Sequence, residues 1–203
     1  MVSRSVIPVF DIGQVLLRWE PRRGLARFFP DAAGLDRFIK ETDFTAWHAR
    51  QDAGRSVAEA IGEAHARFPH YAHVMAGFYD NYRDSMPGEV PGTRAIFEGL
   101  AAKGPVYGIS NFSRELFDRS VPDYPFLGAF TGLVLSGDEG LNKPDRRIYR
   151  ILCERYGLDP AALVFIDDSP GNVAAAQAEG MAGVVFTDAP SLSAALRGFG
   201  LSW

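Results

Sequence analysis

The chain has 203 residues, 47% of them hydrophobic, which is enough for one solid core and short for two large independent domains. Charged residues make up 23% and the net charge is -4, with the basic residues scattered, so there is no electrostatic footprint for nucleic acid or an acidic membrane. The longest apolar runs are strand-sized, residues 1–10 lack a signal-like apolar region with a cleavage site, and Cys153 is the single cysteine. These features predict no membrane span, no secretory signal and no internal disulfide, in a reducing, cytoplasmic setting.

In chain order, the first predicted element is an apolar β-rich run at residues 6–10. Residues 22–84 follow with no convincing strand and four helix-like segments, at 22–29, 35–41, 57–68 and 71–82. The second opens on Asp31 and repeats Leu35, Phe38 and Ile39 at helical spacing. In the fourth, Met75, Phe78 and Tyr82 do the same and read as a local core. Pro87-Gly88 and Pro91-Gly92 then mark turns. From there helices at 91–103, 114–120, 146–156 and 172–180 alternate with strands at 105–109, 130–135, 163–166 and 183–186. Continuous apolar strands spaced by helices predict an α/β fold, a doubly wound (Rossmann-like) parallel sheet buried on both faces. Residues 22–84 are too long for an ordinary connection, so they predict a helical cap inserted into a core made of residues 1–21 and 85–203.

Ligands of open parallel sheets bind at the carboxyl ends of the strands. Past the first strand stands Asp11, in Phe10-Asp11-Ile12-Gly13-Gln14-Val15-Leu16. The second leads into Ile109-Ser110-Asn111, the third into Lys143-Pro144-Asp145, and the fourth into Asp167-Asp168-Ser169-Pro170-Gly171-Asn172. Taken singly, Asp11, Ser110 and Asn111 fit turn or capping roles, and Lys143 fits a solvated side chain. The adjacent carboxylates of Asp167 and Asp168 repel unless a cation or a donor compensates them. Together, at one sheet edge, these groups predict a catalytic site.

In this order and spacing the four motifs resemble the haloacid dehalogenase (HAD) superfamily, in the branch with a helical cap after the first strand, over essentially the whole chain. The resemblance implies that Asp11 is a nucleophile that forms an aspartyl-phosphate, which water then hydrolyses. It implies a Mg²⁺ site made of Asp11, the Gly13 carbonyl and Asp168, with Asp167 beside them or in an outer position. Ser110 and the Asn111 backbone N–H would bind the phosphate, and Lys143 would neutralise both nucleophile and phosphoryl group. Asn172 would order the metal loop or bond to its own helix turn.

One position departs from the pattern. Most phosphatases of the superfamily carry a second Asp two residues past the nucleophile as general acid, and here that residue is Gly13. The expected function is Mg²⁺-dependent hydrolysis of a small phosphomonoester, such as a sugar phosphate. The alternatives are a metal-independent 2-haloacid dehalogenase and a non-catalytic protein that binds a phosphometabolite or a partner. The dehalogenase reading is weakened by the intact Asp167-Asp168 pair and by the lack of a well-placed cap arginine, with Arg37 and Arg50 as imperfect substitutes. Specificity contacts are expected from Arg18, Trp19, Trp47, His48, Arg50 and Gln51, although both tryptophans also suit packing of cap against core. His70 and His73 read as surface or packing residues. The expected partner is a phosphorylated small molecule, bound by a monomer or homodimer.

Overall fold

The structure is a computed structural model that describes residues 6–203; residues 1–5 of the expected core segment lie outside the described residues. Strands β1 (Ile7–Phe10), β2 (Tyr107–Ser110), β3 (Gly132–Leu135), β4 (Leu163–Asp167) and β5 (Ala182–Val185) form one parallel sheet in the order β3-β2-β1-β4-β5. Between β1 and the rest come helices α1 (Pro21–Ala26), α2 (Ala32–Thr42), α3 (Phe44–Asp52), α4 (Val57–Arg67) and α5 (Ala72–Asp80). The remaining helices are α6 (Thr93–Ala101), α7 (Arg114–Ser120), α8 (Ser136–Glu139), α9 (Arg147–Tyr156), α10 (Pro170–Ala178) and α11 (Ala189–Gly198). The expected α/β, doubly wound sheet is thus present.

Alternation along the strands divides the core between the two faces. Phe10, Val164 and Ile166 pack with Phe97, Leu100, Leu192 and Leu196 on one face. Val9, Ile109 and Phe165 pack with Ile148, Tyr149 and Leu152 on the other. Because β4 is buried along its whole length, nothing polar is tolerated there until Asp167, at its last position. The register sets Phe10 opposite both Gly108 and Ile166, and Ser110 opposite Leu135. Asp11, Ser110, Ser136 and Asp167 therefore leave the sheet at the same edge, around the central strand where the winding direction reverses.

The inserted helices begin and pack for identifiable reasons. Asp31 caps α2 by accepting from the Gly34 N–H at 2.8 Å, and Ser56 with Glu59 forms a reciprocal capping box on α4. Phe78 is fully buried, with the Phe44 ring 5.0 Å away edge-on. The sequence does not reveal α3. Its inward face is Phe44, Trp47, His48 and Gln51, so two of its four buried positions are polar and the apolar period is broken. Helices α8 and α11 also go unread.

Two glycines let the helical layer meet the sheet edge. A Cβ at Gly137 would stand 2.9 Å from the Arg114 nitrogen, 2.9 Å from the Ser113 Cα and 3.0 Å from the Phe112 oxygen. Gly54, at φ +95, brings its own position within 2.9 Å of the Gly137 oxygen. All of these neighbours are backbone and cannot swing aside. We predict that Gly137→Ala lowers the unfolding free energy by about 1–3 kcal/mol, read from urea denaturation. Gly62→Ala, on exposed α4 with nothing within 4 Å of the new Cβ, raises it by about 0.5–1 kcal/mol.

Candidate active site

Asp11 follows β1 directly, and its backbone N–H still continues the ladder by donating to Ile166 O at 2.9 Å. The chain then turns tightly: the Leu16 and Leu17 N–H groups both donate to Ile12 O at 2.9 Å, and Gln14 takes a positive φ of 55. This holds the Asp11 side chain at the floor of a cavity of about 180 Å³. The Ile12 N–H donates to Asp11 Oδ1 at 2.7 Å.

Beneath Asp11 lies Lys143, its side chain 1% exposed. Its ammonium sits 2.9 Å from Asp11 Oδ1 and 2.7 Å from Asp167 Oδ2, and donates to Ile109 O at 3.0 Å. Burial alone would lower the Lys143 pKa, but the charges of Asp11 and Asp167 outweigh it and hold the ammonium above its ordinary value. Asn111 fixes the lysine's backbone, accepting from Lys143 N at 2.7 Å and donating to Lys143 O at 3.1 Å. Its side chain therefore positions Lys143.

The Asp167 carboxylate is fully buried and its oxygens are taken. It accepts from Lys143, from Asn172 Nδ2 at 3.0 and 3.1 Å, and from Ser169 N at 2.8 Å. Asp168 instead lines the cavity. Oxygens of Asp11, Asp167 and Asp168 lie within 4.8 Å of one another, a grouping that suits a hard cation. Burial pushes the Asp11 carboxyl up to about 6 against the pull of Lys143. Burial, and then the charge of Asp167, also raise Asp168.

Of the residues expected at the site, Asp11, Gly13, Arg18, Trp19, Ser110, Asn111 and Asp168 line the cavity, with Lys143 and Asp167 directly behind Asp11. Trp47 does not belong there. It is buried among the helices, with the Arg55 guanidinium 4.2 Å from its ring centroid and Phe68 edge-on at 5.7 Å. Gln51 is held by the Tyr79 hydroxyl and Arg55, and Arg50 is bound by Glu63. From the same helix it is His48 and Asp52 that reach the cavity, joined by Tyr82, Met86 and Phe112. His48 and Asp52 stand four residues apart and share one face of α3, a spacing that is legible only once that helix is recognised. A Cβ at Gly13 would meet nothing within 4 Å, so the position is open space.

The two groups on α3 have opposite perturbations. His48 is 2% exposed and stacks 5.1 Å from Trp19; burial, helped by the charge of Arg55, lowers its pKa to about 3. Asp52 has its carboxylate 3.9 Å from His48 Nε2 and accepts from the Ser113 backbone N–H. Burial raises its pKa to about 7, and the nearby Asp11 charge adds to the rise.

A model of the haloacid dehalogenase-like hydrolases matches residues 9–180. The chain belongs to this family. The hydrolase is 38% identical over 92 residues to a sesquiterpene phosphatase of Aspergillus oryzae, a match covering 45% of this chain and 47% of the relative. It is 38% identical over 63 residues to a chloroplast flavin mononucleotide hydrolase of Arabidopsis thaliana, covering 31% of this chain and 26% of the relative. The chain thus spans about half or less of the length of these relatives. Among solved structures, a HAD-like family hydrolase of Porphyromonas gingivalis superposes with TM-score 0.75 at 21% identity, covering 96% of this chain and 98% of that one. A HAD family enzyme of Bacteroides thetaiotaomicron, in complex with magnesium and inorganic phosphate, superposes with TM-score 0.73 at 20% identity, covering 91% and 95%. At these identities the likeness is one of fold. Among the described residues no helix of the hydrolase is long and apolar enough to cross a membrane.

The depressed His48 pKa has a consequence for stability. Between the ordinary value of 6.5 and about 3, the unfolded chain binds a proton that the folded protein refuses. This contribution is fully present above 6.5 and is lost as pH falls, by about 1.4 kcal/mol per pH unit. Asp11 and Asp52, with raised values, act in the opposite sense, but they are present in both proteins of a comparison. We predict that His48→Phe gains stability relative to the wild type at about that rate between pH 6.5 and 5, read from urea midpoints at each pH.

Proposed function

We propose that this hydrolase is a Mg²⁺-dependent phosphatase that hydrolyses a small phosphomonoester through an aspartyl-phosphate on Asp11. The observation that carries this reading is a charge imbalance at the sheet edge. One buried ammonium, Lys143, faces three clustered carboxylates, so two negative charges remain, the charge of one divalent cation. Asp11, Asp168 and the Gly13 carbonyl supply the hard oxygen ligands that Mg²⁺ prefers, while Asp167 orders Lys143 and the metal loop from outside. An ion held there would supply positive charge to offset that of the phosphoryl group.

The chain's own groups carry the rest. The Ile12 N–H and the Lys143 ammonium both bond to Asp11 Oδ1, and the Ser110 hydroxyl bonds to the same carboxylate, so the nucleophile is held in place for attack on phosphorus. Lys143 offsets the repulsion between an anionic nucleophile and an anionic phosphate, and the Ser110 hydroxyl at the end of β2 donates to a phosphoryl oxygen. The helical insertion, expected from the sequence at 22–84 and built of α1–α5, acts as a cap that keeps water away from the site. The cavity wall is largely apolar, made of Ile12, Leu17, Trp19, Tyr82, Met86 and Phe112. It favours a compact, apolar or aromatic organic group within the class of small phosphomonoesters, a sugar phosphate or similar metabolite, expected from the sequence. The sesquiterpene phosphatase and the flavin mononucleotide hydrolase among the relatives support the reaction type.

The reading predicts turnover of 4-nitrophenyl phosphate that needs Mg²⁺, stops with EDTA, and drops by about 10³-fold or more in Asp11→Asn. Halide release from a 2-haloacid in EDTA, without phosphate release, would overturn it in favour of a dehalogenase.

A further inference from the structure

Ester hydrolysis at this site requires a proton for the departing oxygen. Displacement at phosphorus places the entering and leaving oxygens roughly in line. With Asp11 attacking from the sheet edge, the leaving group points to the helical layer on the other side of the cavity. No neighbour on the Asp11 loop can help, since Gly13 has no side chain and the space its Cβ would occupy is open.

The titratable groups lining the cavity are few: Asp11, Arg18, His48, Asp52, Tyr82 and Asp168. Asp11 is the nucleophile, and Asp168 belongs to the acidic cluster. Arg18 offers a guanidinium, which serves as a hydrogen-bond donor and not as a catalytic acid. His48 is neutral and has no acidic proton to give, and burial drives the Tyr82 hydroxyl well above its ordinary value. Asp52 remains.

Resting on the phosphatase reading above, we propose that Asp52 is the general acid and base of the reaction, supplied from helix α3 in place of the side chain that Gly13 lacks. In the first half, a carboxylate oxygen of Asp11 bonds to phosphorus and the phosphorus–ester bond breaks. Its electron pair goes to the ester oxygen, which takes the proton of Asp52 and leaves as the alcohol. In the second half, Asp52, now a carboxylate, takes a proton from the attacking water. The new phosphorus–oxygen bond forms, the bond to Asp11 breaks with its electrons returning to Asp11, and phosphate departs with Asp52 again protonated.

The placement of Asp52 suits this role. It ends α3, and both of its anchors are on the core. Its carbonyl accepts from the Ser136 hydroxyl at the end of β3, and its carboxyl accepts from the Ser113 N–H beyond β2. The groups facing it are also suited to the work. From the helices come neutral His48 and the hydroxyls of Tyr79 and Tyr82; from the core come Asp11 and Lys143. Arg55 is engaged by Trp47 O, Gln51 and Glu63. Among the described residues no cation pairs with the Asp52 carboxylate, and burial keeps its pKa at about 7, where one group can both give and accept a proton near neutral pH.

The test compares two Mg²⁺-dependent substrates of similar shape: 4-nitrophenyl phosphate, whose leaving group needs no proton, and benzyl phosphate, whose leaving group does. In Asp52→Asn, phosphorylation by benzyl phosphate is expected to slow by about 10²–10⁴-fold. The 4-nitrophenolate burst should persist, followed by slow turnover as the aspartyl-phosphate accumulates. In the wild type, which needs no variant to fold, the benzyl phosphate step should fall above about pH 7 while the nitrophenolate burst does not. In metal-free protein the Asp52 carboxyl carbon should titrate near pH 7 by NMR. Equal losses for both substrates, parallel pH profiles, or a carboxyl titrating near 4 would each overturn the assignment. A wild type that turns over neither substrate would instead overturn the phosphatase reading itself.

Discussion

A buried ammonium shared between two carboxylates is the interaction on which the site depends. Lys143 can stay charged inside the protein only because Asp11 and Asp167 touch it, and those residues meet only because β1 and β4 are parallel neighbours in register. The rest of the edge serves this contact. Asn111 grips the lysine backbone from the end of β2, Ile109 O accepts a further hydrogen bond from its ammonium, and Asn172 closes over Asp167 from α10. The parallel sheet is thus a device for bringing charges from three separated stretches of chain within bonding distance.

The elements whose physics is local were legible in the sequence. Apolar strands ending in Asp11, Ser110 and Asp167 announced both the sheet and its reactive edge, since burial on two faces leaves polar residues nowhere else to stand. Lys143 was legible only by resemblance, because a lysine before proline in a loop carries no sign of its burial. Helix α3 was hidden because His48 and Gln51 occupy inward positions where hydrophobic residues would have marked the period. That omission carried Asp52 with it. It also left Trp47 as a plausible substrate contact, although a helix turns residues 47 and 48 about 100° apart and only the second faces the cavity.

The helical insertion and the sheet share one continuous apolar cluster, running from Phe10, Leu16 and Phe97 to Phe38, Phe44 and Phe78. Polar bonds at the sheet edge add to it: Asn142 donates to Ala49 O at 2.7 Å, and Glu115 accepts from the Val57 N–H at 3.0 Å. A layer fastened this way presents α3 to Asp11 in a defined register, which loop contacts alone would not do.

Ser136 has a particular place in that register. Its hydroxyl accepts from the Phe112 N–H at 2.9 Å and donates to Asp52 O, so one oxygen atom links the loop after β2, the start of α8 and the end of α3. The polarity of this bridge runs one way. An alanine would strand a donor on one side and an acceptor on the other, while a purely accepting or purely donating side chain would satisfy only half of it. This joint between the two layers is therefore a keyed connector: the Phe112 N–H fixes which way the Ser136 hydroxyl points, and it closes on Asp52 O in a single orientation.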